Sequence, residues 1–414
     1  MKVELIATGD ELTKGTIADT NSAALAFALT LRGYELTRIT IVGDEIGEIT
    51  GAITEASKRA DALICAGGLG PTSDDLTTEA AANAAGVELE FREEAWRAIE
   101  ERFAKINLPL APTNRKQAII PKGAEIMPNP IGTAPGFVLN INGVPGFFAP
   151  GVPKELFLMF DEQILPRLEK IRKDNTVYVV RVWRTFGYTE SGLGELLKGV
   201  TENFQGLKIS FRAVFPEIMV GLSARGETRE AVEQLISVIE REVEKRISQW
   251  VYTRDDRTLP QVVGDLLRER AIKLAIAESC TGGMLSGMIT AVPGSSDYFL
   301  GGVVSYSNEL KVRLLGVAED TIRKYGAVSE ECAREMAQGA RKLTGADVGL
   351  GVTGIAGPAG GTPDKPVGTV WIACAFGDKV EVRGGKWLRG DREQIRLISS
   401  FASLDLLRRS LLSL

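Results

Sequence analysis

The chain has 414 residues, with 49 Lys plus Arg against 54 Asp plus Glu (net charge −5), 44% hydrophobic and 25% charged residues, and no histidine. That length exceeds one ordinary domain at about 150 residues each, and the acidic balance speaks against a protein built to coat nucleic acid or anionic lipid. The missing imidazole excludes Ser-His-Asp and Cys-His hydrolysis and histidine metal sites, so a hydrolase here must use lysine, a carboxylate or metal-bound water.

Residues 1–165 alternate β-rich runs with amphipathic runs of helical period. Val3 to Ala7 reads as a first strand rather than a signal peptide. Asp19-Thr20-Asn21 caps a helix running to Arg32; Leu36 to Val42 is a strand, Ile46 to Arg59 a helix, and Ala62 to Ala66 a third strand. Asp74 or Asp75 starts a helix ending at Gly86. Strict alternation predicts a parallel sheet covered on both faces, with ligands at the carboxyl ends of its strands. Two glycine-rich segments fall there, Thr8-Gly9-Asp10-Glu11 and Gly67-Gly68-Leu69-Gly70.

From about 166 to 255 the texture changes. Val177 to Thr185, Leu207 to Phe211 and Glu217 to Ala224 read as strands, Glu190 to Val200 and Glu227 to Gln249 as helices. No catalytic constellation lies in this block, which suits a spacer, a dimerisation module or a lid. Past the polar linker Thr253 to Arg257 a third α/β stretch follows. Its helices are Leu259 to Arg270, Thr281 to Ala291, Asn308 to Leu315 and Ser329 to Leu343; its strands are Ile272 to Ala277, Tyr298 to Tyr306 and Val348 to Val352. A hairpin (Val367 to Phe376, Lys379 to Leu388) and a helix from about Asp391 close the chain. No apolar run approaches the ~18 residues of a membrane span. Cys65, Cys280, Cys332 and Cys374 form no C-x-x-C pair, which points to free thiols in a reducing, cytoplasmic compartment.

Ala277-Glu278-Ser279-Cys280-Thr281-Gly282-Gly283 joins a strand to a helix. It places Ser279 at a strand end beside free helix N–H groups, which attract a phosphate or a developing oxyanion. A plain tight turn with Ser279 as N-cap explains this segment equally well. Ser305-Tyr306-Ser307-Asn308-Glu309-Leu310-Lys311 adds a phenol, an amide and an amine at the end of another apolar strand. A serine without histidine needs a desolvated lysine to take its proton, and Lys311 must then sit well below the ordinary value of ~10.4. Gly349 to Pro358 puts Thr353 and Gly354 at a third strand end, placed to donate hydrogen bonds. Arg392 and Arg396, at i,i+4 near a helix start, suit a phosphate clamp, though by themselves they read better as a solvated basic face. Cys280 competes as nucleophile, being a better one intrinsically at a helix N-terminus.

In the first stretch, Gly67 to Thr77 is a glycine-rich strand-to-helix turn carrying Asp74 and Asp75. Its backbone amides suit a phosphate, and its acids suit either a divalent cation or simple helix capping. Neighbouring candidates are Thr8, Gly9, Asp10, Glu11 and Asn21, the cationic Asn114-Arg115-Lys116, and Gly151 with Glu155 in Ala149 to Glu155.

The motifs Ala277 to Gly283, Tyr306-Ser307-Asn308 with Lys311, Gly354 to Pro358 and Pro366 to Trp371 closely resemble the CinA C-terminal family over residues 258–412. That family includes bacterial nicotinamide-mononucleotide amidohydrolases, which form nicotinate mononucleotide and ammonia. The resemblance implies Ser279 as nucleophile and Lys311 as general base, assisted by Tyr306 and Thr353. Cys280, Thr281, Gly282, Gly283, Asn308, Gly354, Arg392 and Arg396 would bind substrate, and no cofactor is implied. Residues 1–170 resemble the molybdopterin-binding-like domain of full-length CinA proteins through Thr8 to Leu12, Thr20-Asn21, Gly67 to Asp75 and Pro150 to Glu155. Some members hydrolyse ADP-ribose to AMP and ribose 5-phosphate with a divalent metal (Mg, Mn or Co). The resemblance implies Asp74, Asp75 and Glu11 as metal ligands. Thr8, Gly9, Asp10, Asn21, Gly68, Gly70, Thr72, Thr77, Arg115, Gly151 and Glu155 would hold the nucleotide. The middle block resembles the small KH-type module between these domains but has no G-x-x-G loop, which argues against nucleic-acid binding.

The expected architecture is therefore α/β: two three-layer α/β domains, 1–170 and 256–414, joined by a small α+β KH-type module at 171–255. The expected function is pyridine-nucleotide recycling by a cytoplasmic homodimer with nicotinamide mononucleotide and ADP-ribose as substrates and neither membrane nor nucleic acid as partner. The alternative makes the first domain a non-catalytic nucleotide or pterin module and the chain a scaffold in DNA uptake or repair.

Overall fold

The computed structural model describes residues 1–172, 177–204, 206–386 and 388–413, so Trp387 of the expected hairpin lies outside the described residues. The chain packs as two compact units, Met1–Val180 with Ser223–Leu235, and Arg181–Leu222 with Ile236–Leu414.

In the first unit a six-stranded sheet runs in the order Glu35–Val42, Lys2–Thr8, Ala62–Ala66, Val144–Ala149, Gly136–Ile141, Glu125–Met127. The first four strands are parallel. The last two join through antiparallel pairing, Gly136–Ile141 alone running against the rest, which corrects the expectation of a parallel sheet. The cause is local: Asn142 and Gly143 both take positive φ (54° and 87°), the backbone of a two-residue hairpin turn. Ala62–Ala66 is buried along its whole length because helices cover both faces. The helix after it is Thr77–Ala85, several residues later than the sequence suggests. Asp75 caps nothing in that helix; its carboxylate turns back to accept the Thr72 amide at 2.8 Å.

The second unit holds a five-stranded sheet in the order Phe299–Val304, Leu274–Glu278, Val348–Gly354, Thr369–Phe376, Lys379–Lys386. The first three strands are parallel and the last two form the antiparallel hairpin. Gly349 and Gly351 have a packing role rather than a ligand role: a Cβ would lie 2.1 Å from the Ala337 carbonyl oxygen and 2.5 Å from that of Ala333. Their bareness lets the helix Glu330–Thr344, capped by Ser329 at the Cys332 amide (3.2 Å), lie directly on the sheet. A four-stranded sheet follows the order Leu207–Val214, Glu217–Gly226, Val177–Thr185, Val251–Thr253. The closing helix Arg392–Leu412 starts on a reciprocal cap: Asp391 accepts the Gln394 amide at 2.9 Å, and Gln394 accepts the Asp391 amide at 3.1 Å. Among the described residues no helix is long and apolar enough to cross a membrane.

Candidate active site

Register assembles the site in the second unit. Glu278, the last residue of its strand, pairs with Val304 on one side and Val352 on the other. Ser279, Ser305 and Thr353 therefore stand abreast at three adjacent carboxyl strand ends, where open α/β sheets place their ligands. The helix Asn308–Leu315, capped by Ser307 at the Leu310 amide (3.2 Å), turns Lys311 back into this row. Lys311 is 1% exposed, and its Nζ stands 3.0 Å from Ser279 Oγ, 2.7 Å from the Ser305 carbonyl oxygen and 3.4 Å from that of Tyr306. Burial holds its amine below the usual lysine range. A neutral amine has two N–H donors and one lone pair. The two carbonyls can take the donors, which leaves the lone pair for the Ser279 hydroxyl.

Cys280, by contrast, is poorly set up. Burial pushes its thiol up to about 12, so it holds no thiolate near neutrality. Gly354 backs it closely, with room for no Cβ: that atom would lie 2.7 Å from Val370 Cγ2 and 3.1 Å from Cys280 Sγ. Thr353 is fully buried next to Ser279 in the row, but its hydroxyl donates to the Ala327 carbonyl at 2.7 Å and braces the loop instead of pointing at the nucleophile. Tyr306 contributes its carbonyl to Lys311, while its ring is 61% exposed and its phenol meets Arg392 Nη2 at 3.4 Å. The two arginines are not a mere solvated face. Arg396 donates to the Thr281 carbonyl (2.8 Å) and Arg392 to the Gly357 carbonyl (2.6 Å), so both reach the loops around Ser279. Thr281 is fully buried with an unpartnered hydroxyl, and Asn308 is exposed in the first turn of its helix.

The strand-to-helix turn departs from expectation. Gly282 and Gly283 take left-handed φ of 59° and 92°, so the helix begins only at Met284. Its N-terminus is not open to an external anion, because Glu278 already occupies it. This fully buried carboxylate accepts from the amides of Gly283 (3.0 Å), Leu285 (3.1 Å) and Ser286 (2.9 Å) and from the Ser286 hydroxyl (2.6 Å). No spacing rule flags it, since a carboxylate five to eight residues before the amides it caps is not a standard capping pattern. The amides of Cys280 and Thr281 are left without an acceptor among the described residues. Glu278→Gln, which sets an NH2 against backbone donors, is expected to destabilise the protein by about 1–3 kcal/mol, read as a lower melting temperature.

In the first unit the glycine-rich turn closes over a pair of hydroxyls. Thr8 Oγ1 and Thr77 Oγ1 are 3.1 Å apart, and a Cβ on Gly68 would fall 2.2 Å from Thr77 Oγ1. Gly9 follows the first strand and precedes the short helix Asp10–Thr13, its amide donating to the Val42 carbonyl at 3.1 Å. Asn21 donates to the Gly151 carbonyl at 2.7 Å, while its Oδ1 is buried and unpartnered. Asp10 accepts from Lys14 (2.5 Å) and from the Asp44 amide (3.2 Å). Asp44, absent from the sequence-based set, lies among the acids: burial raises its carboxyl, and the charges of Asp10, Glu11 and Asp74 raise it further. Asp75 faces Gly70 and Thr72, and Lys116 donates to the Thr72 carbonyl. Arg115 lies over the Phe91 ring at 4.0 Å, and Glu155 accepts from Asn129 at 2.8 Å. The implied metal ligands Asp74, Asp75 and Glu11 thus make no preformed centre. Among the described residues no three or more Asp, Glu or Cys are arranged to hold a metal ion.

The chain is similar in sequence to known proteins. Family models match three consecutive stretches: the "Probable molybdopterin binding domain" over residues 4–170, the "Damage-inducible protein CinA KH domain" over 180–253 and the "CinA C-terminal domain" over 256–411. A "CinA-like protein" of Geotalea uraniireducens is 42% identical over 414 residues, covering 100% of this chain and 98% of its own. Another, of Citrifermentans bemidjiense, is 44% identical over 413 residues, covering 100% and 98%. A crystal structure of a CinA superfamily protein from Klebsiella pneumoniae is 35% identical and covers 38% of this chain and 97% of its own, with a TM-score of 0.37. With relatives of that identity along its whole length, the chain belongs to the CinA family.

Proposed function

We propose that the second unit hydrolyses the carboxamide of nicotinamide mononucleotide to nicotinate mononucleotide and ammonia. The observation that carries this reading is the buried amine of Lys311, 3.0 Å from Ser279 Oγ. The neutral amine takes the hydroxyl proton as Oγ bonds to the carboxamide carbon. The amides of Cys280 and Thr281, which directly follow Ser279 in the chain and have no backbone acceptor, are the donors assigned to the oxyanion. Collapse of the tetrahedral adduct breaks the C–N bond, and Lys311 returns the proton to the departing nitrogen, which leaves as ammonia. Water then cleaves the acyl-serine by the same proton route. Arg392 and Arg396, at the rim of the site, suit the substrate phosphate. The test is incubation of the purified chain with nicotinamide mononucleotide, with ammonia and the product mass as readouts. Turnover unaffected by EDTA is expected, because no step involves a metal, and loss of ammonia release on chelation contradicts the mechanism.

For the first unit the reading is hydrolysis of ADP-ribose to AMP and ribose 5-phosphate. The unpartnered Asn21 Oδ1 beside the glycine-rich turn, and the acids around Asp44, support an incoming ligand with a cation. Because no metal centre is preassembled, the divalent ion (Mg, Mn or Co) belongs to the substrate complex, and no bond-breaking step is assigned to it. AMP formation is expected to stop in EDTA and to fall at least tenfold in Asp74→Ala. AMP formed at an unchanged rate in EDTA, or nucleotide bound without turnover, contradicts it.

A further inference from the structure

The closing helix Arg392–Leu412 borders the active site with its first turns, but its other half flanks a separate pocket of about 360 Å3 that the proposed reactions leave unused. That volume lies within the range of small-molecule sites. One wall is aromatic. It includes Phe186 and Trp250, whose ring is held flat by stacking on Tyr188, with centroids 4.2 Å apart and planes at 24°. The charged part of the lining is Arg383 and Arg409, built around Asp405, which is 2% exposed.

Both Asp405 oxygens are taken. Oδ1 accepts from Arg408 Nε (3.1 Å) and Nη2 (2.8 Å), and Oδ2 from Arg409 Nε at 2.7 Å, with Arg383 Nη1 at 3.5 Å. Three guanidiniums thus surround one carboxylate, leaving excess positive charge at the pocket. The dipole of the helix C-terminus accounts for Arg408 and Arg409, but not for Arg383, which projects from the strand Lys379–Lys386. At 3.5 Å from Asp405 and 45% exposed, Arg383 keeps most of its donor fork open. Arg409 lines the pocket beside it and is held in place by its bond to the Gln249 carbonyl at 2.6 Å.

We infer that this pocket is a second ligand site, separate from both proposed reaction centres, for a phosphorylated small molecule carrying a flat ring, of the nucleoside monophosphate class. Arg383 receives the phosphate through its open guanidinium fork, Arg409, whose Nε and Nη2 are held by Asp405 and Gln249, adds positive charge beside it, and Trp250 receives the ring. A phosphate alone leaves the aromatic wall unused, and a neutral nucleoside leaves the excess charge unanswered.

The test titrates AMP into the full-length chain while following tryptophan emission and heat of binding. Saturable quenching is expected in the wild type, with adenosine and ribose 5-phosphate each binding more weakly than AMP. Trp250→Phe should remove the quenching, Arg383→Glu should weaken binding at least tenfold, and Arg383→Lys should keep much of it. No AMP binding, quenching that survives Trp250→Phe, or an Arg383→Glu isotherm that matches the wild type overturns the site. Arg383 is half-exposed on an edge strand, and Asp405 keeps Arg408 and Arg409 without it, so the variant should fold. AMP and ribose 5-phosphate are also the proposed products of the first unit, so the pocket is read only from the part of the signal that Trp250→Phe and Arg383→Glu remove, and failure of either proposed reaction leaves that difference interpretable.

Discussion

Ser279→Ala is expected to abolish ammonia release from nicotinamide mononucleotide, lowering kcat on the order of a thousandfold or more, while the melting temperature stays close to that of the wild type. The fold should tolerate the change because Lys311 keeps the Ser305 and Tyr306 carbonyls as acceptors. Cys280→Ala is the paired control. A buried thiol raised to about 12 contributes no nucleophile near neutrality, so the alanine chain should retain most of its activity. Full turnover by the Ser279 variant, or its loss in the Cys280 variant alone, would reverse the assignment. Steady-state kinetics on both proteins, beside thermal unfolding, decides between them.

The second large effect is at Lys311. Lys311→Met and Lys311→Arg are both expected to lose activity on a similar scale, methionine because it has no lone pair and arginine because it stays protonated. Their stabilities should diverge. Methionine removes the buried amine but leaves the buried Ser305 carbonyl without its donor, so its chain should unfold somewhat below the wild type, and arginine, which overfills the space, should unfold lower still. The wild type should show the pH signature of a depressed lysine. Below the folded-state pKa the amine is protonated and cannot act as base, so kcat/KM rises with pH through that value and then levels. Linkage gives stability the same sign. Between the lowered folded value and the unfolded 10.5, the unfolded chain binds the extra proton, so this contribution is fully present above the unfolded value and is lost as pH falls through the folded one. A flat pH–rate profile, with Lys311→Arg still active, would remove the amine from the reaction.

Much of the site was legible because strand ends carry their own signals. An apolar run followed by Ser279-Cys280-Thr281-Gly282-Gly283 marks a strand-to-helix turn, and the absence of histidine leaves lysine as the serine's partner. Glu278 was not legible. Its carboxylate closes the helix N-terminus from the far side of a turn, a path that depends on two left-handed glycines rather than on spacing. Asn142-Gly143 was a readable hairpin signal, and with it the antiparallel edge of the first sheet could have been anticipated.

The sequence by itself determined the α/β class, the strand ends that carry Ser279 and Thr353, the short helix that carries Lys311, and the exclusion of imidazole chemistry, because these follow from residue type and local periodicity. Tertiary structure alone decided that Lys311 loses its water, that Thr353 turns to Ala327 rather than to the serine, and that the acids of the first unit gather round Asp44. It alone also brought Arg383 to Asp405, 22 positions further along the chain. Burial, register between distant strands and the direction of a side chain are set by what packs against them, and one-dimensional spacing carries no record of that.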